Sequence, residues 1–155
     1  MRSVRGLTLL AATTALLAAA TLAGAPAFAA APLLKSNLNG KCADIFMAHQ
    51  ENGASTVAWD CHGGLHQQWR WDGEQIRSNL NGKCLEIYGP YLGDQGSVAM
   101  WDCHGGLHQK WFRNGSEIRN RVNGKCLDIL GGRTENGQLL VSWGCNGARS
   151  QSWDF

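Results

Sequence analysis

The sequence predicts an all-β domain of about a dozen short strands, on three observations. The first is a repeat. Cys42, Cys84 and Cys126 stand 42 residues apart, as do Cys61, Cys103 and Cys145, Trp59, Trp101 and Trp143, and Trp69, Trp111 and Trp153. One structural unit is therefore used three times, and a single copy is too small to bury its own apolar face. The second is the spacing of turn signals. Asn39-Gly40, Asn81-Gly82 and Asn123-Gly124 each separate two short segments, and Asn-Gly is the strongest short hairpin signal. The third is the lack of any segment of ten or more residues with a helical period and caps.

The elements follow in chain order. Residues 1–29 read as a signal peptide: Arg2 and Arg5 precede an apolar run from Leu7 to Leu22, and Ala27-Phe28-Ala29 has the small-x-small form of a cleavage site. Residues 30–155 form one domain, with copies at about 34–76, 77–118 and 119–155. Each copy carries Cys-x-Asp/Glu-Ile as an alternating strand: Cys42 to Ile45, Cys84 to Ile87, Cys126 to Ile129. A polar, Gly-rich loop follows. A third strand is expected over Thr56–Asp60, Val98–Asp102 and Leu140–Trp143, and a fourth from Gln67-Gln68-Trp69, Gln109-Lys110-Trp111 and Gln151-Ser152-Trp153. Four strands per copy make about twelve, the signature of a barrel or sandwich. Ile45, Ile87, Ile129, Trp69, Trp111 and Trp153 are the expected core.

Charge and cysteine usage narrow the function classes. The full chain has 14 Lys+Arg and 12 Asp+Glu. Both basic residues of the leader leave with it, so the mature domain is neutral. It has no basic stripe, and neither nucleic acid nor an anionic membrane surface is an expected partner. Membrane insertion is not expected either, because the apolar run is short and ends in Gly24 and Pro26. Six cysteines allow 15 pairings. Secretion permits disulfides, and the repeat symmetry favours Cys42–Cys61, Cys84–Cys103 and Cys126–Cys145. No Cys-x-x-Cys pair suggests a metal site.

Three copies of about 40 residues, each ending in Gln-x-Trp with Cys-x-Asp/Glu upstream and Trp-x-Cys between, resemble the ricin B-type lectin family (carbohydrate-binding module family 13). The resemblance covers the whole mature chain. It implies a β-trefoil with pseudo-threefold symmetry, six strands in a barrel and six in capping hairpins, and one shallow sugar site per copy. Sugar recognition needs a flat apolar surface for the C–H face of the ring. It also needs a carboxylate acceptor for hydroxyls and an amide or imidazole that both donates and accepts. The first copy supplies Asp44, Trp59, His62, His66 and Gln67. Asp44 is the expected acceptor and Trp59 the stacking platform. His66 stands where the family usually has Asn, and Gln67 is expected to orient Asp44. The second copy supplies Glu86, Trp101, His104, His108 and Gln109, its carboxylate displaced by one methylene. The third supplies Asp128, Trp143, Asn146, Ser150 and Gln151, with Gly144 in place of the Asp found at Asp60 and Asp102. The first site is expected to be the strongest.

Other chemistries find less support. Asp60 and Asp102 occupy equivalent places in separate copies, too far apart to work as a glycosidase pair. His62/His66 and His104/His108 have His-x-x-x-His spacing, but in Gly-rich loops rather than on a helix face, so neither metal nor cofactor is expected. The expected function is a secreted, non-catalytic, monomeric, free-standing lectin that binds galactose- or N-acetylgalactosamine-type glycans, or xylan-type polysaccharide, by avidity. The alternative is a trefoil protease inhibitor or other protein-binding scaffold.

Overall fold

The computed structural model describes residues 32–90 and 92–155. The leader expected at 1–29 lies outside the described residues. Among the described residues twelve strands are formed: β1 Lys35–Ser36, β2 Cys42–Ile45, β3 Thr56–Trp59, β4 Trp69–Asp72, β5 Gln75–Ser78, β6 Cys84–Ile87, β7 Gly96–Trp101, β8 Trp111–Asn114, β9 Glu117–Asn120, β10 Cys126–Ile129, β11 Gln138–Trp143 and β12 Trp153–Asp154. Within each copy the first strand pairs with the second and the second with the third, all antiparallel. The fourth strand of one copy pairs with the first of the next: β4 with β5, β8 with β9, and β12 back onto β1. That last ladder joins the two ends of the domain into a ring. The third strands converge on the threefold axis, where β11 pairs with both β3 and β7, and an isolated Ser55–Ala99 bridge links the remaining two. This closed, three-part arrangement is the β-trefoil.

The core is shared, as the repeat requires. Ile45, Ile87, Ile129, Trp69, Trp111 and Trp153 are all buried in one apolar cluster. Each of these three indole N–H groups donates to a carbonyl of the Cys-x-Asp/Glu-Ile strand of its own copy: Trp69 to Ala43, Trp111 to Leu85 and Trp153 to Leu127, every bond 2.9 Å. A buried indole thus keeps its one donor satisfied. Strand alternation sorts the Cys-x-Asp/Glu-Ile motif. Ala43 and Ile45 enter the core cluster, whereas Cys42 and Asp44 sit on the other face. The disulfides Cys42–Cys61, Cys84–Cys103 and Cys126–Cys145 form on that face, each with Cα atoms 5.2 Å apart.

Four expectations change in detail. The Asn-Gly pairs do not make two-residue turns, since Gly40 has φ of +74° but Asn39 is not left-handed. Instead the Gly40 N–H donates to the Ser36 carbonyl, and the Asn39 Oδ1 accepts the Lys41 N–H at 3.1 Å. The side chain mimics a backbone turn and lengthens the loop. Gln67, Gln109 and Gln151 end one-turn 3₁₀ helices, Leu65–Gln67, Leu107–Gln109 and Arg149–Gln151, rather than opening the fourth strands. The third strands stop at the Trp, one residue before Asp60 and Asp102, while β7 and β11 start two residues early. The copy limits at 76/77 and 118/119 fall inside β5 and β9.

Candidate functional site

Strand register assembles the site. Cys42 lies opposite Trp59 and Asp44 opposite Val57. Cross-strand partners share a face, so Asp44 and Trp59 are diagonal neighbours on the face turned away from the core. The same register places Glu86 near Trp101 and Asp128 near Trp143. The core-facing tryptophans are fully buried, whereas Trp59, Trp101 and Trp143 are half-buried, with indole surface left for a ligand.

Each carboxylate is pinned from below by the glutamine of Gln-x-Trp. Gln67 Nε2 donates to Asp44 Oδ2 at 2.8 Å and to the Asp60 carbonyl at 2.9 Å. Its Oε1 accepts the N–H groups of His62 and Gly63 at 2.8 and 3.1 Å. All four bonding directions of the amide are used. Gln109 repeats the pattern on Glu86 at 2.7 Å, and Gln151 on Asp128 at 2.7 Å. All three glutamines are 0 % exposed. Buried beneath the carboxylates, they orient the carboxylate and the loop, the role expected of Gln67, and do not reach the surface. Burial pushes the Asp44 carboxyl above its ordinary value of 3.8, while the Gln67 bond and then His66 and His62 act against that rise.

The residue after the second Cys supplies a donor, and local backbone fixes which one. The Gly64 N–H points at His62 Nδ1 at 3.3 Å, the Gly106 N–H at His104 Nδ1 at 3.1 Å, and the Ala148 N–H at Asn146 Oδ1 at 2.9 Å. With the acceptor side engaged, the neutral imidazoles carry their proton on Nε2, and Asn146 keeps its NH₂ free.

The three sites are unequal. In the first copy Asp44, Trp59, His62 and His66 line a cavity of about 270 Å³ with Phe46 and Met47. In the third, Asp128, Trp143, Asn146 and Ser150 line one of about 300 Å³ with Gly131, Gly132 and Ala148. Asp128 Oδ1 there is buried without a partner. The second copy is filled by its own side chains. The extra methylene of Glu86 brings Oε2 to 2.9 Å from His104 Nε2, whereas Asp44 Oδ2 stays 3.8 Å from His62. Tyr88 stacks on Trp101, with ring centroids 5.3 Å apart. Among the second copy's residues, His108 is half-buried.

Phe46, Met47, Tyr88, Gly131 and Gly132 were not expected at these sites. All lie two to four residues past the Asp/Glu position, and that offset was the available signal. Their turn also differs between copies. Met47 and Ala48 both have φ of +55°, where the third copy has Gly131 and Gly132 at +68° and +60°. The first copy therefore stores backbone strain that the third avoids. The second has Gly89-Pro90, and proline cannot take positive φ.

Asp60 and Asp102, set aside as an acid/base pair, serve as inter-copy latches. Asp60 pairs with Lys41 and accepts from Asn136 at 2.8 Å. Asp102 pairs with Lys83 and accepts from Asn52 at 2.8 Å. Where Gly144 lacks the carboxylate, Asp94 replaces the Asn and itself takes Lys125 at 2.6 Å and the Gly144 N–H at 2.8 Å. Hydrogen bonds from these lysines hold all three carboxyls below the usual range. The same loops back the platforms: a Cβ on Gly137 would meet Trp59 at 3.5 Å, and one on Gly53 would meet Trp101 at 3.8 Å.

The family model described as a ricin-type beta-trefoil lectin domain matches residues 31–153. The chain belongs to the ricin-type β-trefoil lectin family. No curated protein matches it. Among solved structures, this lectin is similar to the designed threefold-symmetric protein ThreeFoil, with 25 % identity, TM-score 0.73, and coverage of 78 % of this chain and 94 % of that one. It is also similar to the C-half of the earthworm R-type lectin solved with GalNAc, with 26 % identity, TM-score 0.67 and coverage of 79 % and 94 %. A third is the β-trefoil lectin of Vibrio vulnificus hemolysin/cytolysin solved with N-acetyl-D-lactosamine, with 26 % identity, TM-score 0.65 and coverage of 79 % and 90 %.

Proposed function

We propose that this lectin is a secreted, non-catalytic sugar-binding protein that engages glycans through its first and third copies. The observation that carries the reading is the pairing of a carboxylate with a half-buried indole in one cavity, twice on one rigid body. The indole covers the C–H face of a pyranose. The carboxylate accepts from neighbouring hydroxyls, and His62 Nε2–H or the Asn146 amide donates to a ring substituent. The unpartnered Asp128 Oδ1 strengthens the case for the third copy, because an unsatisfied buried oxygen is costly and a sugar hydroxyl would relieve it. The second copy ranks last, its carboxylate and platform already engaged by His104 and Tyr88.

Galactosyl ligands are the first candidates, because the earthworm and Vibrio relatives were solved with GalNAc and N-acetyl-D-lactosamine. Xylan-type chains come next. A single shallow site commonly gives mM affinity, about −4 kcal/mol. Two sites on one body raise the apparent affinity for a polymer without any new contact. Three disulfides suit an oxidising, extracellular setting.

A glycan array with the mature protein tests the reading, followed by Asp44→Asn and Asp128→Asn singly and together. Each single variant should lose most of its avidity for polymer, and the double variant should lose binding while staying folded. An array with no sugar bound, or a double variant that binds like wild type, would refute the proposal.

A further inference from the structure

We propose that the first copy also holds a site for one divalent transition-metal ion of the zinc class, with Asp44, His62 and His66 as ligands. Two imidazoles and one carboxylate with an open fourth position are a recurrent zinc donor set. The geometry gathers them. His62 Nε2 and His66 Nε2 lie 3.8 and 3.7 Å from Asp44 Oδ2, and one donor atom from each of the three residues lies within 4.8 Å of the others. Ligands about 2.0–2.1 Å from a tetrahedral ion sit roughly 3.4 Å apart. Small rotations of two partly exposed rings close the difference. Asp44 is already oriented by Gln67, the kind of supporting bond that ligating carboxylates have. The fourth position opens on the cavity walled by Trp59, Phe46 and Met47.

The chain contains its own controls. The second copy also has a carboxylate and two imidazoles, Glu86, His104 and His108, yet among the described residues they form no such cluster. There the longer Glu86 closes onto His104 at 2.9 Å instead. The other gathered set, Glu117 with Cys126 and Cys145, has both sulfurs in a disulfide and offers no thiolate. The His62–His66 convergence depends on a glycine. A Cβ on Gly64 would lie 2.7 Å from His66 Cε1 and 2.9 Å from His62 Cε1, whereas at Gly106 only His104 is that close. Gly64 has φ of −61°, open to any residue, and the third copy carries Ala148 at the equivalent place with φ of −63°. Metal at His62 Nε2 moves the ring proton to Nδ1, so the 3.3 Å approach of the Gly64 N–H must yield. The adjoining Gly63, at φ of +74°, makes that loop easy to adjust.

The experiment titrates chelator-treated mature protein with Zn²⁺ by calorimetry and with Co²⁺ by visible absorption, disulfides intact. Wild type should bind one equivalent. His66→Asn and Gly64→Ala should each weaken binding by at least ~10-fold, and His108→Asn should leave it unchanged. Gly64→Ala retains the fold by the precedent of Ala148, and far-UV circular dichroism confirms it for every variant. Absence of binding by wild type overturns the site, and so does wild-type affinity in both His66→Asn and Gly64→Ala. The outcome is independent of whether any glycan binds.

Discussion

Replacing Gln67 with Ala separates a positioning role from a contact role. Its amide makes four hydrogen bonds and is fully buried. Two partners, the N–H groups of His62 and Gly63, belong to exposed residues and can rehydrate. Of the other two, the Asp60 carbonyl also belongs to an exposed residue, so the buried Asp44 carboxylate alone is left short of a donor. A hydrogen bond to a charged group contributes about 1.5–3 kcal/mol, which for a domain of this size is roughly 6–12 °C in Tm. By contrast, Lys41→Ala breaks only the exposed pair with Asp60 and should cost under about 1 kcal/mol. Thermal unfolding by circular dichroism of oxidised mature protein measures both. Binding should fall at the first site alone, because Gln109 and Gln151 serve the other copies. A Tm drop under ~3 °C for Gln67→Ala, or one no larger than for Lys41→Ala, would refute the network as the scaffold of the site.

Other consequences are more compact. Ala48→Gly should raise stability by about 1 kcal/mol, because it relieves a left-handed alanine as Gly132 does in the third copy; chemical denaturation checks the sign. Tyr88→Ala uncovers Trp101 and should give a measurable rise in sugar affinity when the first and third sites are disabled, read by calorimetry. Folding raises the Asp44 pKa above 3.8, so its ionisation opposes folding, and the stability it contributes at low pH is lost as pH climbs through the folded value. Sugar binding needs the ionised form. Affinity at the first site, isolated with Asp128→Asn, should therefore fall on acidification with a midpoint above 3.8. Asp60, Asp94 and Asp102 shift the other way. Their contribution is present above the unfolded value, fades as pH falls through the lowered folded values, and should shrink in high salt because they are exposed.

Much of the molecule was legible in the residues because it is periodic. The 42-residue step required one core shared by three copies. Alternation in Cys-x-Asp/Glu-Ile required the carboxylate and disulfide to share a face opposite Ile45, Ile87 and Ile129. Even the Asp94/Gly144 latch was written as a reciprocal swap of Asn52/Asp102 and Asn136/Asp60, although reading it requires knowing that these positions meet. What repetition could not reveal is how small differences act at contact distance. One methylene decides that Glu86 reaches His104 while Asp44 stops short of His62. Tyr88 covers a platform that Leu130 leaves open, and two imidazoles converge over Gly64 where only His104 approaches the equivalent Gly106. Sequence by itself determined the frame, because core burial and strand alternation are properties of residue type and spacing. Tertiary structure alone decided which sites are open, because that depends on ångström-scale separations between side chains brought together from different loops.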